Sequence, residues 1–123
     1  MTDIASLKRN IAELPKREPV PGLVAAKLSG QNVMIQHVTV QKGTSAPQHH
    51  HQNEQIMVLL EGRMILQVGD ADKGELTEID MGPGDVIHLP SGIPHGGEAL
   101  EDCVVLDVFS PPSDVTGIDG LKG

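Results

Sequence analysis

The sequence predicts an all-β domain, a sandwich or barrel built from many short strands. Apolar and polar residues alternate with period two along most of the chain, the spacing that turns one face of a strand toward a core. Turn-forming residues separate several of these runs, as at Glu61-Gly62, Gly69-Asp70 and Gly82-Pro83-Gly84. Only the start of the chain departs from the pattern.

There, Ile4, Leu7, Ile11 and Leu14 fall on one helical stripe, with Thr2 or Asp3 available as a cap and Pro15 to stop it, so a short N-terminal helix is expected. Pro19-Val20-Pro21-Gly22 reads as a stiff lead-in. Strands are expected over 32–40, 55–60, 63–68, 75–79, 86–89 and 103–109, and the turn-rich 111–123 reads as a loose tail. The organisation is thus a helix and lead-in at 1–22, one barrel at 23–110 and a tail, with no internal repeat. In the last strand Val104, Leu106 and Val108 alternate with Val105, Asp107 and Phe109, so it is apolar on both faces apart from Asp107. Its outer face needs a cover, either the N-terminal helix or a second subunit, and a homodimer is the expectation.

A chain of 123 residues has room for one core. Its net charge of −8 and nine Lys and Arg, without a basic run, leave a nucleic-acid surface no electrostatic basis. The longest apolar run, 56–60, is far too short to cross a membrane as a helix. The N-terminus lacks the basic and apolar regions of a signal peptide, and Cys103, the only cysteine, has no partner for an intrachain disulfide. A cytoplasmic address is expected. Phe109 is the only aromatic residue, so any cavity must be lined mainly by aliphatic side chains and Met.

Two blocks carry the chemistry. The first runs from Gly43 through His49, His50 and His51 to Glu54 and Gln55; the second runs from Gly84 through Pro90 and Gly92 to His95. Imidazoles two residues apart on an extended strand share a face, which selects His49 and His51 and turns His50 away. Gln55 has the same parity, whereas Glu54, the better anion, has the opposite one, so Gln55 is preferred as the fourth donor. His95 follows a Pro/Gly-rich turn that aims it across a sheet. His49, His51, Gln55 and His95 therefore make a candidate site for one divalent transition metal; Zn, Ni, Mn, Fe and Cu all suit such donors. Neutral donors leave the ion its full +2 charge. That favours a small anionic ligand such as a carboxylate, and Lewis-acid chemistry over dioxygen activation.

Other reactive side chains read more plainly. His37 and His88 fit half-exposed strand positions, Cys103 a small core residue, and Arg63 an outward-facing one. Asp107 lies inside an apolar run, where burial without a partner is costly, so it needs either a backbone hydrogen bond or a wet cavity.

The two blocks resemble the motifs of the cupin family. The first motif has the form G-x5-H-x-H-x3-[E/Q]-x6-G, supplied by Gly43, His49, His51, Gln55 and Gly62. The second, G-x5-P-x-G-x2-H-x3-N, is supplied by Gly84, Pro90, Gly92 and His95, with Ala99 where Asn is common. The resemblance implies a small antiparallel jelly-roll barrel with its metal inside. Within the family, residues 19–25, the Glu54-Gln55 pair and residues 105–112 look most like the small KdgF-like cupins of pectin and alginate breakdown, which linearise 4,5-unsaturated uronates. In that group an Asp and a Phe of the final strand face the metal cavity, and they correspond to Asp107 and Phe109. The group's usual Arg after Ser-Pro-Pro is replaced by Ser113, and its Glu-Asp pair is reduced to Asp114.

These features imply a metal-dependent isomerase or lyase acting on a small carboxylated sugar derivative, with Asp107 as acid/base and Phe109 packed against the ring. An iron(II) or copper dioxygenase and a non-catalytic metal-dependent sensing or storage module are the alternatives.

Overall fold

The computed structural model describes residues 3–112, and the period-two runs in it form ten strands. These are β1 (Lys16–Val20), β2 (Leu23–Ser29), β3 (Met34–Val40), β4 (Ser45–His49), β5 (Glu54–Glu61), β6 (Met64–Val68), β7 (Thr77–Met81), β8 (Val86–Leu89), β9 (His95–Ala99) and β10 (Cys103–Ser110). One sheet has the order β1-β2-β3-β10-β5-β8 and the other β4-β9-β6-β7. Every pairing is antiparallel, and from β3 to β6 each successive strand changes sheet. The result is the jelly roll that the sequence resemblance implied. Among the described residues no helix is long and apolar enough to cross a membrane.

Register explains where the core ends and the polar interior begins. Directly opposed residues in antiparallel strands share a face. Along β10 the inward positions are Cys103, Val105, Asp107 and Phe109, opposed on β3 by Val40, Val38, Gln36 and Met34. At the Cys103 and Val105 end the interior is apolar: Leu23, Ala25, Leu59 and Leu66 fill it, and Leu59 is fully buried. Burying such a leucine contributes about 1.5–3 kcal/mol. At the Asp107 end the same stripe turns polar, and the cavity opens there.

The N-terminal helix is not formed. Two separate 3-10 turns stand in its place, Ile4–Leu7 and Ile11–Glu13. Asp3 caps the first through Ala5 N, while Asn10 accepts from Ala12 N and starts a second turn, which interrupts any continuous helix. Only Leu14 of the apolar stripe is buried; Ile4 and Leu7 are 79% and 66% exposed. The stripe lacks a surface to pack on, and a short isolated helix is not self-sustaining. Residues 16–20, read as part of a lead-in, instead form the edge strand β1, with Pro21-Gly22 making the turn into β2. Thr2, Ser113, Asp114 and all but the first two residues of the tail lie outside the described residues.

Gly62 shows why one motif position must be glycine. Its φ is +92°, and a Cβ there would press into the Asp102 carbonyl and lie 2.8 Å from Cys103 Sγ.

Candidate metal centre

Three histidines converge at the polar end of the barrel. His49 ends β4 and His95 begins β9, and the two are register partners, so their rings share a face with centroids 4.5 Å apart. His51 is not on a strand with His49; it sits in the loop before β5, its ring 6.0 Å from that of His49 and 5.1 Å from that of His95. One nitrogen of each ring lies within 4.8 Å of those of the other two.

The backbone sets the tautomer of each ring. Nδ1 of His49, His51 and His95 lies 2.9 Å from the carbonyl oxygens of Pro47, Asn53 and Ile93 respectively. A carbonyl only accepts, so each Nδ1 carries the hydrogen and each Nε2 presents a lone pair. Burial and the neighbouring imidazoles reinforce neutrality. His49 is held below the usual imidazole range, and His95 is pushed down to about 4, chiefly by desolvation.

Gln55 enters from the opposite sheet. Within β5, Gln55, Met57 and Leu59 are buried while Glu54 and Ile56 are exposed. Parity inside that strand therefore excludes Glu54; the parity between His51 and Gln55 is not the reason, because the chain bends between them. Glu54 instead meets His88 on the outer surface at 2.6 Å. The Gln55 amide donates from Nε2 to Asp107 Oδ1 at 2.8 Å, which turns Oε1 toward His51 Nε2 at 3.2 Å. With Nδ1 protonated, that contact sets two acceptors face to face. Lone pairs from three imidazoles and an amide oxygen, with no hydrogen between them, form a donor set that a divalent transition ion satisfies.

Asp107 and Phe109 line the same cavity of about 100 Å³. Asp107 keeps some accessible surface, and its carboxyl faces the cavity it helps to line. Desolvation pushes its pKa up to about 7, against a lowering by the Gln55 hydrogen bond. Phe109 is buried and meets the His51 ring edge-on, centroids 5.6 Å apart. His50 and Arg63 are exposed, His37 is half-buried outside the cavity, and Cys103 is a buried core thiol whose pKa burial raises.

Two residues of the site escaped the sequence reading. Asn53 is buried, its side chain donates to the Pro111 carbonyl, and its own carbonyl orients His51. Gln36 is buried on the inner face of β3 and lines the cavity. The available signal was a lone amide in the otherwise apolar inward stripe Met34, Val38, Val40.

Comparison with known proteins agrees with this picture. The profile of the cupin domain family matches residues 36–109. An uncharacterized protein of Streptomyces coelicolor is 30% identical over 86 residues, 69% of this chain and 76% of the relative. Among solved structures, KdgF from Halomonas sp. superposes with a TM-score of 0.70 at 27% identity, over 84% of this chain and 93% of that one. An RmlC-like cupin from Shewanella frigidimarina gives 0.73 at 20% identity, over 84% and 88%. A variant of Bacillus subtilis oxalate decarboxylase gives 0.76 at 23% identity over 86% of this chain, which spans only 30% of that protein. The last two likenesses are likenesses of fold.

Proposed function

Because the chain belongs to the cupin family, we propose that it is a metal-dependent enzyme of the isomerase or lyase kind acting on a small carboxylated sugar derivative, a 4,5-unsaturated uronate fitting best. The observation that carries this reading is the Asp107 carboxyl, hydrogen-bonded to Gln55 beside the imidazole cluster and with its pKa pushed up to about 7. His49, His51, His95 and Gln55 would hold the ion, which when bound supplies positive charge to grip and polarise a substrate carboxylate.

The protein's own groups do the rest. With its pKa pushed up to about 7, Asp107 populates both its protonated and ionised forms near neutral pH and can give and recover a proton, as a general acid/base requires. Protonation of the substrate at C4 and addition of water at C5 give a hemiketal, which opens to the linear keto acid. Phe109, packed against His51, offers an apolar face to the ring. The likeness to KdgF at 27% identity supports the same substrate class, while Ser113, in place of that group's usual Arg, predicts weaker activity on uronates or a smaller carboxylate. The test is the ultraviolet absorbance of unsaturated galacturonate. The metal-loaded protein should speed its loss over an enzyme-free control; an unchanged rate ends the uronate assignment. Oxygen uptake during turnover would point to a dioxygenase.

We also propose a homodimer formed through the outer face of the six-stranded sheet. Ile56 is 42% and Val86 61% exposed there, beside the half-buried Ile35, Leu106 and Val108. The N-terminal turns leave Ile4 and Leu7 in solvent, so the second subunit is the better cover.

A further inference from the structure

We infer that Gln36 recognises substrate: its side-chain amide binds a ligand hydroxyl beside Asp107, so that the cavity selects a hydroxylated carboxylate over a plain one. This rests on the carboxylate-binding reading above for the other end of the ligand.

Gln36 is 6% exposed, lies between the buried Met34 and Val38 on the inward face of β3, and lines the cavity. Among the described residues its side chain has no hydrogen-bond partner. Buried amides are nearly always paired, and an unpaired one is costly, so its partner is expected to come from outside the protein. Directly opposite it on β10 stands Asp107. Register partners of this kind have Cα atoms about 5 Å apart and side chains on the same face. The carboxyl spends Oδ1 on Gln55 and has no second partner among the described residues.

Two polar groups with spare valences thus stand side by side on the six-stranded sheet's wall of the cavity, next to the apolar Val38, Met57 and Val105. One hydroxyl satisfies both: it accepts from Gln36 Nε2 and pairs with Asp107 Oδ2, donating to the carboxylate form or accepting from the protonated one. The imidazole cluster stands on the other sheet and the loop before β5, with Gln55 between it and Asp107. A ligand with a carboxylate at one end and a hydroxyl at the other fits that polarity. A ligand with the carboxylate alone leaves the amide unpaired, and a site built to pair a hydroxyl discriminates against the analogue lacking it.

The test compares galacturonate with cyclohexanecarboxylate, a six-membered ring bearing the carboxylate and no hydroxyl, titrated into metal-loaded protein. The variants are Gln36→Met and Gln36→Leu, which keep bulk and remove the amide. Wild type should bind galacturonate more tightly. Both variants should lose about five- to tenfold on galacturonate, the worth of one neutral hydrogen bond, stay within twofold on cyclohexanecarboxylate, and melt no lower than wild type. Equal loss on both ligands, loss on neither, or a lowered melting temperature in both variants overturns the inference. A wild-type protein that binds neither acid sinks the carboxylate reading. Methyl galactoside, which has ring hydroxyls without the carboxylate, then decides for Gln36, whose role stands if both substitutions weaken its binding and falls if they do not.

Discussion

Gln55 and Asp107 are diagonal neighbours on adjacent strands: Gln55 opposes Phe109, Asp107 opposes Met57, and the amide of the first donates to the carboxyl of the second at 2.8 Å. The bond fixes both groups. It commits Gln55 Nε2 to the acid and leaves Oε1 for the imidazole side, and it holds the acid within one side chain of the candidate ion. A change at either residue is therefore felt at the other.

Gln55→Glu should retain metal, since a carboxylate is also a good ligand. Two effects should follow from the added charge. Affinity for galacturonate should fall about tenfold, because the ion's net charge is partly offset. The new carboxyl would also stand against Asp107, and like charges in contact share one proton. Titration calorimetry at pH 6 and pH 8 should show the loss growing with pH. Unchanged ligand affinity at both pH values would mean that Gln55 does not touch the ion.

Combined replacement of His51 and His95 by Ala should abolish stoichiometric metal measured by mass spectrometry on protein purified without added metal. Either single change should weaken binding by more than about tenfold, since loss of even an outer partner of a metal ligand typically costs about 10–100-fold. A full equivalent of metal in the double variant would place the site elsewhere.

How far the sequence led can be read from individual residues. Period two found β3, β5, β6 and β10, because these strands are buried on at least one face and must alternate. It left out the edge strands β1, a run of Lys16, Arg17, Glu18 and Pro19, and β4; β2, where adjacent Ala25 and Ala26 are both buried and break the alternation; and β9, where Gly96 and Gly97 sit between His95 and Glu98 under a close backbone approach. At Gly96 a Cβ would stand 2.8 Å from the Ala46 carbonyl. The histidines were legible because their chemistry is scarce and their spacing tight. Gln36 and Asn53 were not, since an isolated amide acquires meaning only from strands paired across long sequence separations. The apolar stripe over 4–14 misled because periodicity reports a face and not the presence of anything to cover it.

Stability without metal should carry two opposed pH limbs. Asp107 has its pKa raised from 3.8 to about 7 in the fold, so the unfolded chain loses this proton first. Folding is then penalised progressively from about pH 4 to pH 7, and constantly above, by something on the order of 2–4 kcal/mol. His95, lowered from 6.5 to about 4, acts in the other sense: the unfolded chain gains this proton first, and stability is lost as pH falls from 6.5 toward 4. Asp107→Asn should remove the first limb and leave the second. Denaturant melts of chelator-treated protein should find the variant more stable than wild type at pH 8 and indistinguishable at pH 4. Equal gains at both pH values would detach the effect from ionisation.

Light scattering at micromolar concentration should report a dimer. Val108→Lys places a charge at the centre of the outer face, beside Ile35 and Ile56, and should give a folded monomer that still binds one equivalent of metal. A wild-type monomer would leave the outer face to be covered by Ile4, Leu7 and Ile11 in solution.

Asp107→Asn separates binding from chemistry. The amide is nearly isosteric and can still accept from Gln55 Nε2 through its oxygen, so the variant should fold, keep its metal and bind galacturonate within a few-fold of wild type. It cannot take up and return a proton near neutral pH, so turnover of unsaturated galacturonate should fall by roughly 10²–10⁴. His51→Ala should lose metal and turnover together, and that contrast distinguishes acid/base work from a loss of the ion. Wild-type turnover should also need Asp107 in the right form. If proton donation to C4 limits the rate, activity should decline as pH rises through its pKa, and Asp107→Asn should abolish that decline along with most of the rate. A variant that retains wild-type turnover would move the acid/base role to another group and leave Asp107 as a partner that only orients Gln55.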